Sequence, residues 1–382
     1  MQKPEIKICH ILNLITGTAD GVYTHLRMLI NLLPQDKFSQ IIIFQGGDVI
    51  KKDLNLTGIK HYVLPLLGKK SVVFSAFQIY KILRSENIDI IQSHLVKPYI
   101  ICGIVNFFLR KKHIFNYNGF FIQNVYYNKY EMLFFNTIHY LINKFKTVDL
   151  AVVPSFFSKS LLVKETNLFP EVRVYYNGYD PSFPTHTDNS IVKLLNSLQK
   201  DHFLVGIVAR LEIQKRIDLS LKLLKELLKR GNNVYFVYFG DGPLEKNCRE
   251  LASELNVNDN SIFLGFVENA RNYIKFFNSL LFTSDWEGLP LTIWEAMANK
   301  VPIVATDVGG NAEIIQRENC GYIFPKGDII SGADYLEILI KDETSCKTLG
   351  ENGYSALTRK YSHQQFQSFF ENLYTELCPK KL

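Results

Sequence analysis

The sequence predicts an α/β protein built from two parallel-sheet domains. Three observations carry that expectation. β-rich runs alternate with amphipathic helical stretches through the first half, the alternation restarts at Phe203, and 382 residues exceed one ordinary domain. In open parallel sheets ligands bind beyond the carboxyl ends of the strands, so function is to be sought in the loops that leave them.

Composition narrows the class. An apolar content of 47% with 21% charged residues describes a soluble globular chain with a sizeable core. The formal net charge of +6 is mild for this length, so nucleic acid is not called for; anionic ligands or an anionic membrane surface suit it. Cys9, Cys102, Cys248, Cys320, Cys346 and Cys378 are scattered, without a C-x-x-C pair or a His at metal-ligand spacing. No metal site is therefore expected, and free thiols fit a cytoplasmic setting. The N-terminal apolar run is broken by His10 and Asn13 and reads as a first strand rather than a signal peptide. The longest apolar stretch, 99–109, falls well short of the roughly 20 residues a membrane helix needs.

In order along the first half, 6–12 reads as a strand, 16–21 as a loop, and the pattern through Leu33 as a helix. Gly17 and Gly21 in that loop lack the G-x-G-x-x-G spacing of a dinucleotide fold, which argues against an NAD enzyme. Glycines serve any tight strand-to-helix turn equally well. Residues 41–44, 61–64 and 88–92 are further strands, with a helix at 75–85. His94 follows one strand and Asn118-Gly119 follow the next, at 112–117, so two polar groups converge on one sheet edge. A buried or capping histidine is the competing account of His94.

Residues 110–146 interleave aromatic side chains, Phe115 to Phe145, with Arg110, Lys111, Lys112, Lys129, Lys144 and Lys146. Such a helix suits an anionic membrane or a lipid-linked acceptor, or else a core helix with snorkelling lysines. Strands at 149–153 and 172–176 close this half. The turn Asn177-Gly178-Tyr179-Asp180 and the polar stretch carrying Pro181 and Pro184 then mark a linker over 181–200.

The second half repeats the pattern. A strand at 203–209 leads through a polar loop, 210–216, into a helix at 217–228 whose Ile217, Leu221, Leu224 and Leu228 share one face. The strand 234–239 ends in Gly240-Asp-Gly242-Pro243, ahead of a helix at 244–255; the strand 262–264 ends in Gly265-Phe266-Val267. The strand 280–282 leads into a loop carrying Glu287, and Pro290 opens a helix at 291–298 with Glu295 about one turn in. Both carboxylates can face a ligand at that helix end, where free N–H groups suit a phosphate, although acidic residues near helix starts also simply stabilise the dipole. A strand at 301–305 ends in Asp307-Val-Gly309-Gly310-Asn311. Five polar or glycine-rich loops thus share one edge. Arg210 and Lys215, five residues apart in one loop, can neutralise a diphosphate, the first with a planar fork and the second as a point charge; alone, such a pair is usually solvated surface.

Ala209-Arg-Leu-x-x-x-Lys215 with Asp218, Gly240-Asp-Gly-Pro243, Gly265-Phe-Val267, Glu287-Gly-Leu-Pro290 with Glu295-Ala-Met-Ala298, and Gly309-Gly310 with Glu313 resemble, in order and spacing, the retaining glycosyltransferases of family 4. The likeness is specific over the C-terminal half and weaker before it, where it rests on 17–21, His94, Ser155 and Asn177-Gly178 with Asp180. It implies the GT-B architecture, two Rossmann-like domains facing across a cleft, with a C-terminal helix, here 362–377, crossing back to the first. The domains would be 1–180 on the acceptor side, a linker over 181–200, a nucleotide-sugar domain over 201–360, and the returning segment 361–382.

By the same resemblance Arg210 and Lys215 hold the donor diphosphate, Glu295 the ribose hydroxyls and Glu287 those of the transferred sugar. Gly288, Leu289, Pro290 and Leu291 surround the phosphates, Gly242 lies in the donor pocket, Phe266 and Val267 meet the base, and Gly21 reaches the phosphates from the first domain. His94 and Asn118 lie on the acceptor side. The reaction implied is a retaining, metal-independent transfer without cofactor from a UDP-, GDP- or ADP-linked sugar to a glycan or lipid-linked acceptor. Its setting is bacterial surface polysaccharide assembly, in the cytoplasm or at the inner membrane face. A GT-B epimerase and a non-catalytic nucleotide-sugar-binding subunit are the alternatives. Two positions depart from the pattern: Asn118-Gly119 stands where the family often has His-Gly, and Lys215-Arg216 where it usually has Lys-Gly. Asn118 can hydrogen-bond a hydroxyl but cannot take a proton at neutral pH, so the leaving phosphate would accept it.

Overall fold

A computed structural model of the chain describes residues 6–13, 21–66, 71–117, 129–166, 169–179 and 186–379. The near-continuous apolar runs of the first half become strands β1 (Ile6–Asn13), β2 (Phe38–Gln45), β3 (Lys60–Val63), β4 (Ile90–His94), β5 (Lys112–Asn116), β6 (Leu150–Val153) and β7 (Val172–Val174). They form one sheet in the order β3-β2-β1-β4-β5-β6-β7, with every neighbouring pair parallel. A parallel sheet is covered on both faces, which is why the inner strands β1 and β2 are buried along almost their whole length rather than at alternate residues. Ile6 and Ile8 of β1 face the helices Gly21–Leu32 and His363–Leu377, whereas Cys9 and Ile11 face Ser71–Ser85 and Val96–Leu109.

The second run of strands, β8 (Phe203–Val208), β9 (Val234–Phe239), β10 (Ser261–Phe263), β11 (Ser279–Phe282), β12 (Ile303–Thr306) and β13 (Gly321–Phe324), builds a parallel sheet in the order β10-β9-β8-β11-β12-β13. Leu219, Leu223, Leu227, Val205, Ile207 and Phe236 lie in its main core cluster, so the helix Ile217–Lys229 buries its apolar stripe on the sheet.

The chain divides into two compact units. One comprises Met1–Asn177 with His363–Leu382, the other Gly178–Ser362. The C-terminal helix His363–Leu377 therefore belongs to the first unit, where Phe366, Phe370, Leu373 and Tyr374 are buried in one cluster with Met28, Leu29 and Leu33. At roughly 1.5–3 kcal/mol for each large apolar side chain buried, that packing holds the helix in place without help from its sequence propensity. In the second unit Tyr179 and Ser362 pair as a parallel bridge where the chain enters and leaves.

Part of the stretch read as a linker is structured. Residues Asn189–Gln199 form a helix, opened by Asp188, whose side chain accepts from Ser190 N at 2.7 Å. Ile191, Leu194, Leu195 and Leu198 recur at helical spacing there, and Leu195 is buried; the prolines just before them masked that periodicity. None of the six cysteines is in a disulfide. Among the described residues no helix is long and apolar enough to cross a membrane.

Candidate functional site

In the second sheet the chain leaves β8 toward β9 and leaves β11 toward β12, in opposite directions, so the switch point lies between these two neighbours. The loops that open there, 209–216 and 283–290, are stitched together. Asp285 N donates to Gln214 O at 2.8 Å, Gln214 Nε2 donates to Trp286 O at 2.8 Å, and Thr283 Oγ1 donates to Lys215 O at 2.9 Å. Lys215 Nζ then meets Glu287 Oε1 at 2.6 Å. Glu287 is only 6% exposed, and Ser284 Oγ donates to the same carboxylate oxygen at 2.6 Å. An ammonium and a carboxylate are thereby held side by side at the switch point.

The turn around Glu287 depends on a glycine contact. Gly309 has φ +61°, and a Cβ on it would stand 2.0 Å from Glu287 O; Gly310 N donates to Gly288 O at 2.7 Å. No other residue permits that approach at a positive φ. Pro290, with φ −62°, caps the helix Leu291–Ala298 rather than forming its first residue. Leu289 is buried, while Gly288 and Leu291 are half-buried. Glu295 lies half-buried on this helix, and burial raises its carboxyl above the usual range, with the Arg271 guanidinium pulling the other way. Arg271 stacks over the Tyr179 ring at 4.2 Å.

Arg210 is exposed and pairs with Glu212 at 3.0 Å, so its partner in this structure is not the Lys215–Glu287 pair. The backbone of Gly242 passes close to Leu211 O, and Gly240 N donates to Gly265 O at 2.8 Å, which ties three strand ends together. Phe266, 58% exposed, and half-buried Val267 follow that contact.

Arg216 occupies the left-handed region at φ 48° and ψ 51°. For a non-glycine residue this costs roughly 1–2 kcal/mol. Its guanidinium is fixed by Asp218, through Nε at 2.8 Å and Nη2 at 3.0 Å, and by Asp285, through Nη1 at 3.0 Å. Those bonds hold the Asp218 carboxyl below its ordinary pKa. Lys326 also approaches Asp285, at 3.4 Å.

In the first sheet the switch point lies between β1 and β4. Gly21, exposed, starts the helix Gly21–Leu32; residues 14–20, with Gly17, and residues 118–128, with Asn118 and Gly119, lie outside the described residues, as does Asp180. His94 is at the end of β4, but it does not project from the edge: it is fully buried with both ring nitrogens occupied. Leu95, next to it, has φ 71° and ψ 165°, a conformation costly for any residue but glycine.

His94 belongs to a buried chain of hydrogen bonds. Asn116 Nδ2 donates to His25 Nε2 at 2.7 Å and to His94 Nδ1 at 3.1 Å. His25 Nδ1 donates to Asn177 Oδ1 at 2.8 Å, His94 Nε2 donates to His10 Nδ1 at 3.3 Å, and His10 Nε2 donates to Gln40 Oε1 at 3.1 Å. The acceptor oxygens at the two ends fix one direction, and each of the three imidazoles then carries one proton. Burial accordingly lowers the pKa of His10 to about 3 and of His25 to about 4, and that of His94 well below its ordinary value. In the unfolded chain they protonate near 6.5, so the unfolded state binds more protons below that pH and stability is lost as the pH falls from about 6.5 toward 4. Urea titrations of the full chain should show this fall, approaching about 1.4 kcal/mol per pH unit for each histidine involved. A flat profile between pH 6.5 and 4.5 would show that the imidazoles are not held neutral.

Comparison with known proteins bears on this geometry. A family profile described as Glycosyltransferase Family 4 matches residues 19–183, and one described as Glycosyl transferases group 1 matches residues 195–356. The chain belongs to the group 1 glycosyl transferases. The capsular polysaccharide biosynthesis glycosyltransferase CapM of Staphylococcus aureus is 24% identical over 302 residues, covering 74% of this chain and 77% of CapM. The UDP-Gal:alpha-D-GlcNAc-diphosphoundecaprenol alpha-1,3-galactosyltransferase of Escherichia coli is 22% identical over 374 residues, covering 93% of this chain and 95% of that enzyme. Anabaena HepE, solved in complex with UDP, superposes with a TM-score of 0.79 at 18% identity, covering 97% of this chain and all of the HepE chain, which shows the GT-B fold.

In this glycosyltransferase several residues that shape the site escaped the sequence reading. Asp285 and Arg271 act through contacts between segments distant in sequence, and Ser284 through a bond to Glu287 within its own loop. His10, which breaks the apolar run of β1, was the visible trace of the buried histidine chain.

Proposed function

We propose that this glycosyltransferase moves a sugar with retention, and without a metal, from a nucleoside-diphosphate sugar to a glycan or lipid-linked acceptor in bacterial surface polysaccharide assembly. The observation that carries the reading is the Lys215–Glu287 contact of 2.6 Å at the switch point: a cation suited to a phosphate beside a buried carboxylate suited to sugar hydroxyls. Lys215 and Arg210 take the diphosphate, Glu287 the hexose hydroxyls, Glu295 the ribose hydroxyls, and the exposed face of Phe266 with Val267 the base. The N–H groups at the start of Leu291–Ala298 lie toward the phosphates. UDP is the first nucleotide to try, because HepE was solved with it and the E. coli relative is named for UDP-Gal.

Chemically, the bond from the anomeric carbon to the diphosphate oxygen breaks while the acceptor oxygen bonds that carbon from the same face. The acceptor's proton passes to the departing diphosphate. Charge that grows on the diphosphate is met by Lys215 and Arg210, which is the dominant catalytic term in this scheme.

Thermal unfolding with UDP, GDP and ADP in EDTA tests the donor site, since a ligand bound by the folded state alone raises the melting temperature. UDP is expected to stabilise the wild-type protein, and Glu295→Ala to lose most of that shift. An unchanged shift in Glu295→Ala rejects its ribose role, and no shift with any nucleotide rejects the donor pocket.

The acceptor side of the proposal rests on an exposed patch. Phe107 and Phe108, the latter 70% exposed, end the helix Val96–Leu109, and Phe107 packs edge-on against exposed Phe145 at 5.1 Å, just past the helix Lys129–Lys144. Arg110 lies over Phe107 at 5.1 Å and Lys144 near Tyr140 at 5.9 Å, while Ile142 and His139 form the buried side of the second helix. Aromatic side chains ringed by cations fit the interface of an anionic membrane. Cosedimentation with phosphatidylglycerol vesicles is expected at low salt, weakened by Phe108→Asp and by high salt. Absence of binding at low salt would leave the patch as ordinary surface.

A further inference from the structure

We infer that Arg216 is a positioning residue for the transfer reaction: its guanidinium, clamped between Asp218 and Asp285, holds a left-handed backbone that presents Lys215 to Glu287. The inference rests on the donor-site reading above, in which Lys215 meets the diphosphate. Arg216 sits at φ 48° and ψ 51° between the 3-10 turn Ile213–Lys215 and the helix Ile217–Lys229, so its conformation sets the direction in which the chain turns just after Lys215. Glycine would take that conformation without strain; in arginine the bonds of its guanidinium to Asp218 and Asp285 offset the strain.

Both anchors matter to the loop. Asp218 accepts two bonds from the guanidinium, at 2.8 and 3.0 Å, and belongs to the helix that follows. Asp285 accepts a third at 3.0 Å and belongs to the facing loop, where its own N–H donates to Gln214 O at 2.8 Å. Residues on either side of Lys215 are thereby tied to the segment that carries Glu287. Thr283 Oγ1 bonds the carbonyl of Lys215 itself at 2.9 Å. Arg216 spends its charge on these aspartates and touches no group assigned to the donor.

If the side chain acts only by holding the backbone, a residue that needs no holding restores function. Arg216→Ala keeps the strain and loses the clamp, so turnover is expected to fall roughly tenfold, the population shift that strain of this size commands, with the donor KM little changed. Arg216→Gly is expected to recover most of that loss. Asp285→Asn is expected to lower turnover in the Arg216 protein and to change nothing in the Arg216→Gly protein.

The assay is UDP release from a panel of UDP-glucose, UDP-galactose and UDP-N-acetylglucosamine, with water taking the sugar in place of the acceptor. It is paired with 19F spectra of protein labelled with 5-fluorotryptophan, whose two tryptophans are Trp286, in the loop, and Trp294, in the helix behind it. Arg216→Ala should move or broaden the Trp286 resonance, Arg216→Gly should leave it in place, and Trp294 reports that the unit is folded. Arg216→Gly failing as badly as Arg216→Ala, or raising the donor KM, would overturn the inference, since the guanidinium would then be acting on the donor. So would a Trp286 resonance indifferent to Arg216→Ala. If UDP neither stabilises the wild-type protein nor is released, the donor reading falls, while the 19F spectra still decide whether Arg216 sets the loop.

Discussion

Lys215→Ala is expected to reduce turnover by two to three orders of magnitude, the usual cost of deleting one preorganised group that meets charge in a transition state. The lysine stands where it does through several constraints: the bond from Thr283, the left-handed turn at Arg216, and the 2.6 Å contact with Glu287. The variant leaves Glu287, buried and bonded to Ser284, without its cation. Some loss of stability therefore accompanies the loss of rate, and thermal unfolding must be read beside the kinetics. Lys215→Arg separates the two, because it keeps the charge on a longer and planar group; turnover intermediate between wild type and alanine is expected. A kcat loss in Lys215→Ala with nearly unchanged donor KM places the interaction in the transition state, whereas a rise in KM alone would make it simple binding. Wild-type turnover would remove Lys215 from the mechanism.

Asn116→Leu is expected to destabilise the protein by about 4 kcal/mol, at a position that touches no proposed substrate. Asn116 is fully buried; its amide hydrogens serve His25 and His94, and its oxygen accepts from Tyr175 Oη at 3.0 Å. A leucine of similar size fills the space and removes the donor to His25 Nε2, the donor to His94 Nδ1 and the acceptor of this Tyr175 bond, at roughly 1–3 kcal/mol each. Urea unfolding measures the loss directly, and a change below about 1 kcal/mol would mean that the network relaxes around the hole. Asn116→Asp offers a check on direction. A carboxylate facing two acceptor nitrogens calls for protonated imidazoles, so its acid loss should be smaller than that of the wild type.

Much of the fold was legible because burial leaves a pattern. Strand β9 and the helix Leu291–Ala298 fall where their apolar runs end at Gly240 and begin after Pro290. The helix Asn189–Gln199 was hidden by the prolines ahead of it, although Asp188 and the spacing of Ile191, Leu194, Leu195 and Leu198 mark it. The site was legible at the level of loops: Arg210, Lys215, Glu287 and Glu295 are strung along segments that the alternation of strands and helices sends to one edge.

What the sequence by itself determined is the architecture, the family and the list of chemistry-bearing loops, since each follows from periodicity, strand ends and motif spacing within short stretches. What only the tertiary structure decided is pairing: Lys215 with Glu287, Arg210 with Glu212, Arg216 with Asp218 and Asp285, and His94 with His10 and Asn116 rather than with solvent. Local pattern records whether a residue is buried or turns the chain. Which charge or ring nitrogen it meets is fixed by strand order, and β8 lies beside β11 only because the chain reverses its direction of sheet growth between them.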